Sequence, residues 1–200
     1  MGVKGWISFE KTIAYLNENY PQHFIIADAK RGDIGNTARM YAKSLFETFD
    51  FDAVTLSPYM GSETVTPFLD YPGRYAIVVA LSSNPTSYDF QNALNEGKPL
   101  YQSVMEKMME ISTPENMMFV VGATKADKFK EIRAFCPDNF LLVPGVGAQG
   151  GSAEEVIAGG ANSKGGLLIN SSRGVIYASA GDDFAEAAAK AASRTALATI

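Results

Sequence analysis

The stretch YAIVVAL at positions 75–81 decides the fold class. No charged residue interrupts it, and only Tyr75, at its first position, carries a polar side-chain group. Such a continuous run is typical of a strand buried on both faces, whereas a half-exposed strand alternates apolar and polar residues. Further short apolar runs lie at positions 23–27, 53–56, 117–122, 140–146 and 167–170. Strands of this kind predict a parallel sheet covered by helices.

Helical patterns separate these runs along the chain. They lie at positions 8–19, 36–49, 98–111, 125–135, 153–158 and 182–198, with a weaker one at 62–69. The regular alternation of strand and helix predicts the α/β class. No linker or break in composition interrupts it, so we expect a single domain over positions 1–200.

The number of strand–helix units leaves two architectures open. One is an open, doubly wound sheet, and the other is a (β/α)8 TIM barrel, here incomplete because its first two strands are missing. The chain also begins in a helical pattern with no strand before it. Periodicity does not decide between the two architectures.

The composition narrows the classes of partner and compartment. The net charge of −5 disfavours nucleic acid or an anionic membrane as a partner. The single cysteine, Cys136, cannot form an internal disulfide and is expected to pack in the core. No signal peptide is visible, and no apolar run reaches the ~20 residues needed to span a bilayer. We therefore expect a cytoplasmic protein.

Charged residues directly follow the first apolar run. Asp28 and Lys30 lie two positions apart, so regular strand geometry would place their side chains on one face. A carboxylate beside an ammonium can polarise a substrate and deliver a proton. A salt-bridged strand end is the alternative. Asp33 adds a third charge, although Asp33 or Asn36 could simply cap the next helix.

Two later strand ends have the composition of anion sites. Four glycines lie between positions 145 and 151, where backbone N–H groups could approach a ligand, and Ser152 could cap the helix that follows. The loop could also be only a tight connection. Arg173 and Gly174 follow the last strand, and a guanidinium there suits a phosphate. Together the two loops predict a phosphorylated ligand.

The third run is followed by Ser82 and a long polar segment at positions 82–97. A loop of this length often covers a ligand, although a variable insertion is the alternative. Its first hydroxyls could hydrogen-bond a polar heterocycle. We find no metal-ligand spacing, nucleophile elbow or dinucleotide fingerprint in the sequence.

Taken in order, these motifs resemble the orotidine 5′-phosphate decarboxylase family. The stretch DAKRGDIGNT at positions 28–37 is similar to the family signature D-x-K-x-x-D-I-x-x-T, and the form DAKRGDIGNTA is closest to a bacterial subgroup. The loop at 144–151 and the pair Arg173-Gly174 resemble the family's phosphate-binding elements. The resemblance covers the chain from the first strand onward.

This resemblance implies a homodimeric barrel with shared active sites that converts orotidine 5′-phosphate to uridine 5′-phosphate and CO2 in pyrimidine biosynthesis, without a cofactor. Asp28 would lie against the departing carboxylate, and Lys30 would protonate C6 of the pyrimidine. The resemblance also implies roles in the partner's site and in substrate binding. Asp33 and Thr37 would reach into the partner's site, Ser82 and Pro144 would contact the base, and Gln149, Arg173 and Gly174 would hold the phosphate.

Two rival functions stay open. A metal-dependent sugar-phosphate decarboxylase or aldolase of the same superfamily would use the Asp-x-Lys-x-x-Asp pattern to hold magnesium. A non-catalytic nucleotide-phosphate-binding remnant is the other. The resemblance also implies a strand-one aspartate that holds the ribose and a strand-two lysine that pairs with Asp28, both upstream of any position here. Lys4 and Lys11 lie nearest, and we assign neither role to them. We therefore expect further strands upstream, and low activity or stability of these 200 residues alone.

Overall fold

The computed structural model describes residues 2–146 and 151–197. Contacts divide the chain into two compact units, Met1–Val78 and Val79–Ile200. The expectation of a single domain stays a prediction. Within the described residues, no helix is both long and apolar enough to cross a membrane.

The first unit alternates helices with parallel strands. Its elements are α1 (Val3–Asn19), β1 (Ile26–Arg31), α2 (Gly35–Lys43) with a wider last turn (Ser44–Thr48), β2 (Ala53–Leu56), a tight turn (Ser62–Thr64), α3 (Thr66–Leu69) and the first part of β3 (Tyr75–Leu81). Strand β2 lies between β1 and β3 and pairs in parallel with both. All four β2 residues are buried, so this strand is the rigid centre of the unit.

The second unit continues the pattern from the end of β3. Its elements are a tight turn (Pro85–Asp89), β4 (Leu94–Asn95), β5 (Lys98–Pro99), α4 (Leu100–Met109), β6 (Met117–Val121), a turn (Ala123–Lys125), α5 (Ala126–Phe135), β7 (Leu141–Pro144), α6 (Ala153–Gly160), β8 (Leu167–Asn170), α7 (Arg173–Ile176) and α8 (Phe184–Leu197). The strand order here is β3, β6, β7, β8. Strand β7 pairs in parallel with both β6 and β8. The α/β alternation expected from the sequence is confirmed.

The first strand departs from the prediction. It was expected at 23–27, with the charged residues after it, but β1 runs over Ile26–Arg31 and therefore contains Asp28 and Lys30. The strand could not be recognised from the sequence, because half of its residues are charged. Its backbone is nevertheless held by pairing to β2, on which Ala27 lies opposite Val54 and Arg31 opposite Leu56.

The expectation that every strand is buried on both faces was also wrong for two strands. Of the six residues of β1 only Ala27 is buried, and none of the four residues of β8 is. Both strands lie at an end of the strand order, with one paired neighbour among the described strands. Strands β2 and β6 lie inside that order and are completely buried.

The polar segment at 82–97 is more ordered than the sequence suggested. It contains the turn Pro85–Asp89 and ends in a small antiparallel hairpin of β4 and β5. Glu96 and Gly97 have φ values of 52° and 83°. A two-residue hairpin turn of type I′ requires positive φ at both of its central residues. Helix α4 consequently begins at Leu100 rather than at position 98.

Candidate active site

The charged pair on β1 is formed as the sequence predicts. Lys30 Nζ lies 2.5 Å from Asp28 Oδ1, and the two side chains are 55% and 66% exposed. Regular strand alternation does not produce this contact, because the register shifts between Ala27 and Arg31 and Lys30 has a left-handed φ of 44°. A lysine in that conformation costs on the order of 1–3 kcal/mol, so surrounding contacts must hold it.

Thr55 of the buried strand β2 supplies those contacts. Its hydroxyl oxygen accepts a hydrogen bond from Lys30 N–H at 2.9 Å and lies 3.0 Å from Asp28 Oδ1, to which it can donate. Thr55 is completely buried. Thr55 was not among the residues predicted from the sequence, where its one signal is a hydroxyl in an otherwise apolar strand.

Asp33 and Thr37 lie just beyond β1. Asp33 Oδ1 accepts a hydrogen bond from Ile34 N–H at 2.8 Å, and Thr37 is exposed in the first turn of α2. The N-cap of this helix is Ile34, without a side-chain cap. The alternative reading of Asp33 or Asn36 as helix caps was therefore wrong, and the Asp33 carboxylate remains partly accessible.

In the second unit, Ser82 follows β3 and is hydrogen-bonded to the side chain of Gln91. The Ser82 N–H donates to Gln91 Oε1 at 2.8 Å, and Gln91 Nε2 donates to Ser82 Oγ at 2.9 Å. The Ser82 hydroxyl donates to Asn84 Oδ1 at 2.7 Å. These bonds tie the beginning of the polar segment to its middle, so the Ser82 hydroxyl has a defined direction.

Close backbone contacts bring the ends of β3, β6 and β7 together. A Cβ on Gly122 would lie 2.6 Å from Ser83 N, and a Cβ on Gly151 would lie 2.4 Å from Ala123 Cβ. Gly122 N–H donates to Leu81 O at 2.7 Å, and the Thr124 hydroxyl donates to Ser83 O at 3.1 Å. Glycine is therefore required at 122 and 151. Gly151 belongs to the glycine-rich loop predicted from the sequence, whereas Gly122 was not predicted.

The predicted glycine-rich loop begins at Pro144, the last residue of β7, which lies opposite Asn170 of β8. Gly145 has a φ of 98°, a conformation that favours glycine. Gln149 lies outside the described residues. Ser152 caps α6 as expected, because its Oγ accepts a hydrogen bond from Glu155 N–H at 3.3 Å. The Ser152 hydroxyl also donates to Glu154, which lowers the pKa of that carboxyl.

Arg173 and Gly174 form the first turn of the short helix α7, after β8. Both are exposed, so the guanidinium is available to a ligand. Asn170 Oδ1, at the end of β8, is buried and has no hydrogen-bond partner among the described residues. The loop directly after the last strand therefore carries an exposed cation, Arg173.

Other charged groups of the second unit have structural roles. The Arg133 guanidinium donates to several backbone carbonyls, and its burial lowers its pKa. Burial raises the pKa of the Cys136 thiol to about 11, which confirms the expected core position of that residue. Lys125 is buried, with Nζ 3.9 Å from the centre of the Tyr88 ring. In residues 2–146 and 151–197, no three His, Cys, Asp or Glu side chains are grouped as metal ligands would be.

Parallel strands alternating with helices, with polar and glycine-rich segments following the strands, define an α/β class of enzyme whose site lies at the strand ends. The model of one family, "Orotidine 5'-phosphate decarboxylase / HUMPS family", matches residues 2–191. The chain belongs to this family. An orotidine 5′-phosphate decarboxylase of Phocaeicola vulgatus is 55% identical over 195 residues, which cover 97% of this chain and 72% of that protein.

Solved structures agree with the family. The UMP synthase of Leishmania donovani superposes with a TM-score of 0.86 at 34% identity, covering 99% of this chain and 44% of that one. The OMP decarboxylase of the same organism has a TM-score of 0.84 at 32% identity and is covered to 76%. The expected family, the expected fold class, a (β/α)8 barrel of which this chain carries part, and the expected class of enzyme, a decarboxylase, are confirmed.

Proposed function

We propose that this chain decarboxylates orotidine 5′-phosphate to uridine 5′-phosphate and CO2, with Lys30 as the proton donor. The observation that carries the proposal is the ammonium of Lys30 held 2.5 Å from the Asp28 carboxylate on β1. The family also includes the rival sugar-phosphate enzymes. The relatives of this chain at 55% and 56% identity, however, are named orotidine 5′-phosphate decarboxylases.

The chemistry needs a fixed positive charge. When the bond between C6 and the carboxyl group breaks, its electron pair stays on C6 while CO2 leaves. A lysine ammonium beside C6 stabilises this developing negative charge and then gives C6 a proton, which leaves a neutral amine. Lys30 fits this role, because its position is fixed at the backbone by Thr55 and at the side chain by Asp28.

Asp28 has a second role in the proposal. Its carboxylate would lie near the carboxylate of the substrate, and the repulsion between them disappears when neutral CO2 forms. The interaction thus lowers the barrier by raising the energy of the bound substrate. The salt bridge to Lys30 holds the Asp28 carboxylate beside the proton donor, where the substrate carboxylate would lie.

The residues of the second unit would bind the rest of the substrate. Arg173 and Gln149 would hold the phosphate, with Gly174 allowing close approach, while Ser82 and Pro144 would contact the base. In support, Arg173 is exposed and the Ser82 hydroxyl is oriented by its hydrogen bonds. Binding energy from the phosphate can position the pyrimidine ring without itself taking part in the bond that breaks.

We also propose a homodimer in which Asp33 and Thr37 contribute to the partner's site. Thr37 is exposed, and the neighbouring apolar side chains of Ile34 and Met40 are 47% and 53% exposed. An apolar surface beside functional polar residues favours a protein–protein interface over solvent. We place the enzyme in the cytoplasm and expect neither nucleic acid nor membrane as a partner.

The test is a decarboxylation assay that follows loss of orotidine 5′-phosphate. Lys30→Ala should lower kcat by about 10²–10³-fold or more, because it removes the charge that stabilises the transition state. Lys43→Ala is the matched control, since Lys43 is an exposed lysine of α2 in the same unit, and it should keep its activity. An upstream-extended chain is assayed in parallel.

Three outcomes would contradict the proposal. Turnover by Lys30→Ala within tenfold of the unsubstituted chain would remove Lys30 from the chemistry. Activity that appears only with added Mg²⁺ and is lost in EDTA would favour the sugar-phosphate rival. Binding of uridine 5′-phosphate without any turnover, even by the extended chain, would favour the non-catalytic reading.

A further inference from the structure

We propose that Thr55 is a positioning residue of this site: its hydroxyl fixes the backbone of Lys30 and the carboxylate of Asp28 at the same time. The inference rests on the proposed function for its catalytic consequence. The contact itself can be tested without any turnover. Thr55 lies on β2, whereas the two residues that it holds lie on β1.

The hydroxyl of Thr55 has the capacity for both interactions. A threonine hydroxyl offers one donated hydrogen and two acceptor positions. Its oxygen accepts from Lys30 N–H at 2.9 Å, and its hydrogen can go to Asp28 Oδ1 at 3.0 Å rather than to Ala27 O at 3.5 Å. Asp28 Oδ1 in turn accepts from Lys30 Nζ. These three hydrogen bonds, closed by the covalent chain between Lys30 N and Lys30 Nζ, thus form a ring.

The irregularity of β1 explains why the backbone needs this support. In a regular ladder alternate amides of a strand donate to carbonyls of a given neighbour, but the register between β1 and β2 shifts between Ala27 and Arg31. The Lys30 amide lies inside this interval and donates to a side chain instead. The same residue has the left-handed φ of 44°. The Thr55 hydroxyl therefore takes the place of a missing ladder carbonyl.

The position of Thr55 makes it a rigid anchor. Thr55 is 0% exposed, and its neighbours Val54 and Leu56 on the same strand are also 0% exposed. By contrast, the pair that it orients is largely exposed and would be mobile if it were held only by its own salt bridge. Anchoring an exposed pair to the buried centre of the unit gives the ammonium a fixed place. A displacement of about 1 Å at such a group can cost a factor of about 10² in rate.

The experiment compares three variants of the chain. Thr55→Val removes the hydroxyl and keeps the shape, Thr55→Ser keeps the hydroxyl, and Thr64→Val is the matched control. Thr64 is a second buried threonine of the same unit, 1% exposed, whose hydroxyl donates to Gly61 O at 2.8 Å. It therefore reports the general cost of deleting a buried hydroxyl away from Lys30.

Two readouts are taken. Hydrogen exchange of the Lys30 amide, followed by NMR, should be about tenfold faster in Thr55→Val and close to the unsubstituted rate in Thr55→Ser and Thr64→Val, since one net hydrogen bond is lost. In the decarboxylation assay, Thr55→Val should lower kcat by about 10²-fold with KM changed much less, because the ground-state contacts to the phosphate are untouched. Thr55→Ser should recover most of kcat.

Each contrary result has a defined meaning. Unchanged Lys30 amide exchange in Thr55→Val overturns the inference, as does a Thr55→Ser variant as impaired as Thr55→Val. An equal loss of kcat in Thr64→Val would show that Thr55 affects kcat only through the stability of the core. If neither the unsubstituted chain nor its upstream-extended form shows turnover, the proposed function fails, and the amide exchange alone decides whether Thr55 holds Lys30.

Discussion

Replacing Arg133 with methionine should destabilise the second unit more than any exposed substitution on the same helix. Arg133 lies on α5, and its guanidinium donates to five backbone carbonyls at distances of 2.8–3.3 Å. The acceptors are the carbonyl oxygens of Cys136, Pro137, Asn139, Gly160 and Gly166. Asn139 and Gly166 lie just before β7 and β8, so one side chain fixes the beginnings of both strands.

The magnitude follows from what each carbonyl loses. Pro137 is exposed and can bind water, and Gly166 O keeps the hydrogen bond from Leu141 N–H at 2.9 Å. Three carbonyls of buried residues then lose a charged donor, at roughly 1–2 kcal/mol each. Removing the guanidinium also removes the cost of burying its charge, which lowers its pKa, and this offsets part of the lost stability. We expect a net loss of about 3 kcal/mol in the free energy of unfolding.

Urea unfolding followed by circular dichroism measures this loss. With a slope of about 2 kcal/mol per molar urea, the midpoint of Arg133→Met should fall by about 1.5 M. Lys128→Met is the matched control on α5, because within residues 2–146 and 151–197 Lys128 makes only a surface salt bridge of 3.2 Å to Glu131, and its midpoint should hardly move. A midpoint for Arg133→Met equal to that of the control would refute the reasoning.

Two further predictions concern the same unit. Burial raises the pKa of Cys136 from 9.0 to about 11, so the stability that this thiol contributes is complete below pH 9 and is lost as the pH rises through 11. From pH 8 to pH 10 the free energy of unfolding should fall by about 1 kcal/mol more in the unsubstituted chain than in Cys136→Ala, and equal falls in urea titrations would contradict this. Gly151→Ala should lower the free energy of unfolding by about 1–3 kcal/mol, because its Cβ would lie 2.4 Å from Ala123 Cβ. Gly2→Ala, with nothing within 4 Å of the new Cβ, should be neutral, and equal thermal midpoints of the two variants would refute the clash.

The sequence by itself determined the α/β fold class and, within the candidate site, the Asp28–Lys30 pair. Continuous apolar runs such as YAIVVAL indicate the strands of a sheet covered by helices, and β3 is largely buried, although the apolar run of β8 is not. The Asp28–Lys30 contact was also predictable, since the two residues are neighbours along the chain and carry opposite charges. Ser152 as a helix cap followed from local sequence in the same way.

Only the tertiary structure decided how Lys30 is held. Thr55 is separated from Lys30 by 25 positions, and its hydroxyl reaches the Lys30 amide because of the irregular register between β1 and β2. The tight approach of Gly122 to Ser83 likewise depends on the ends of two strands lying side by side. Local propensity and spacing contain no information about such pairings, because sheet register is set by contacts between residues far apart in the chain.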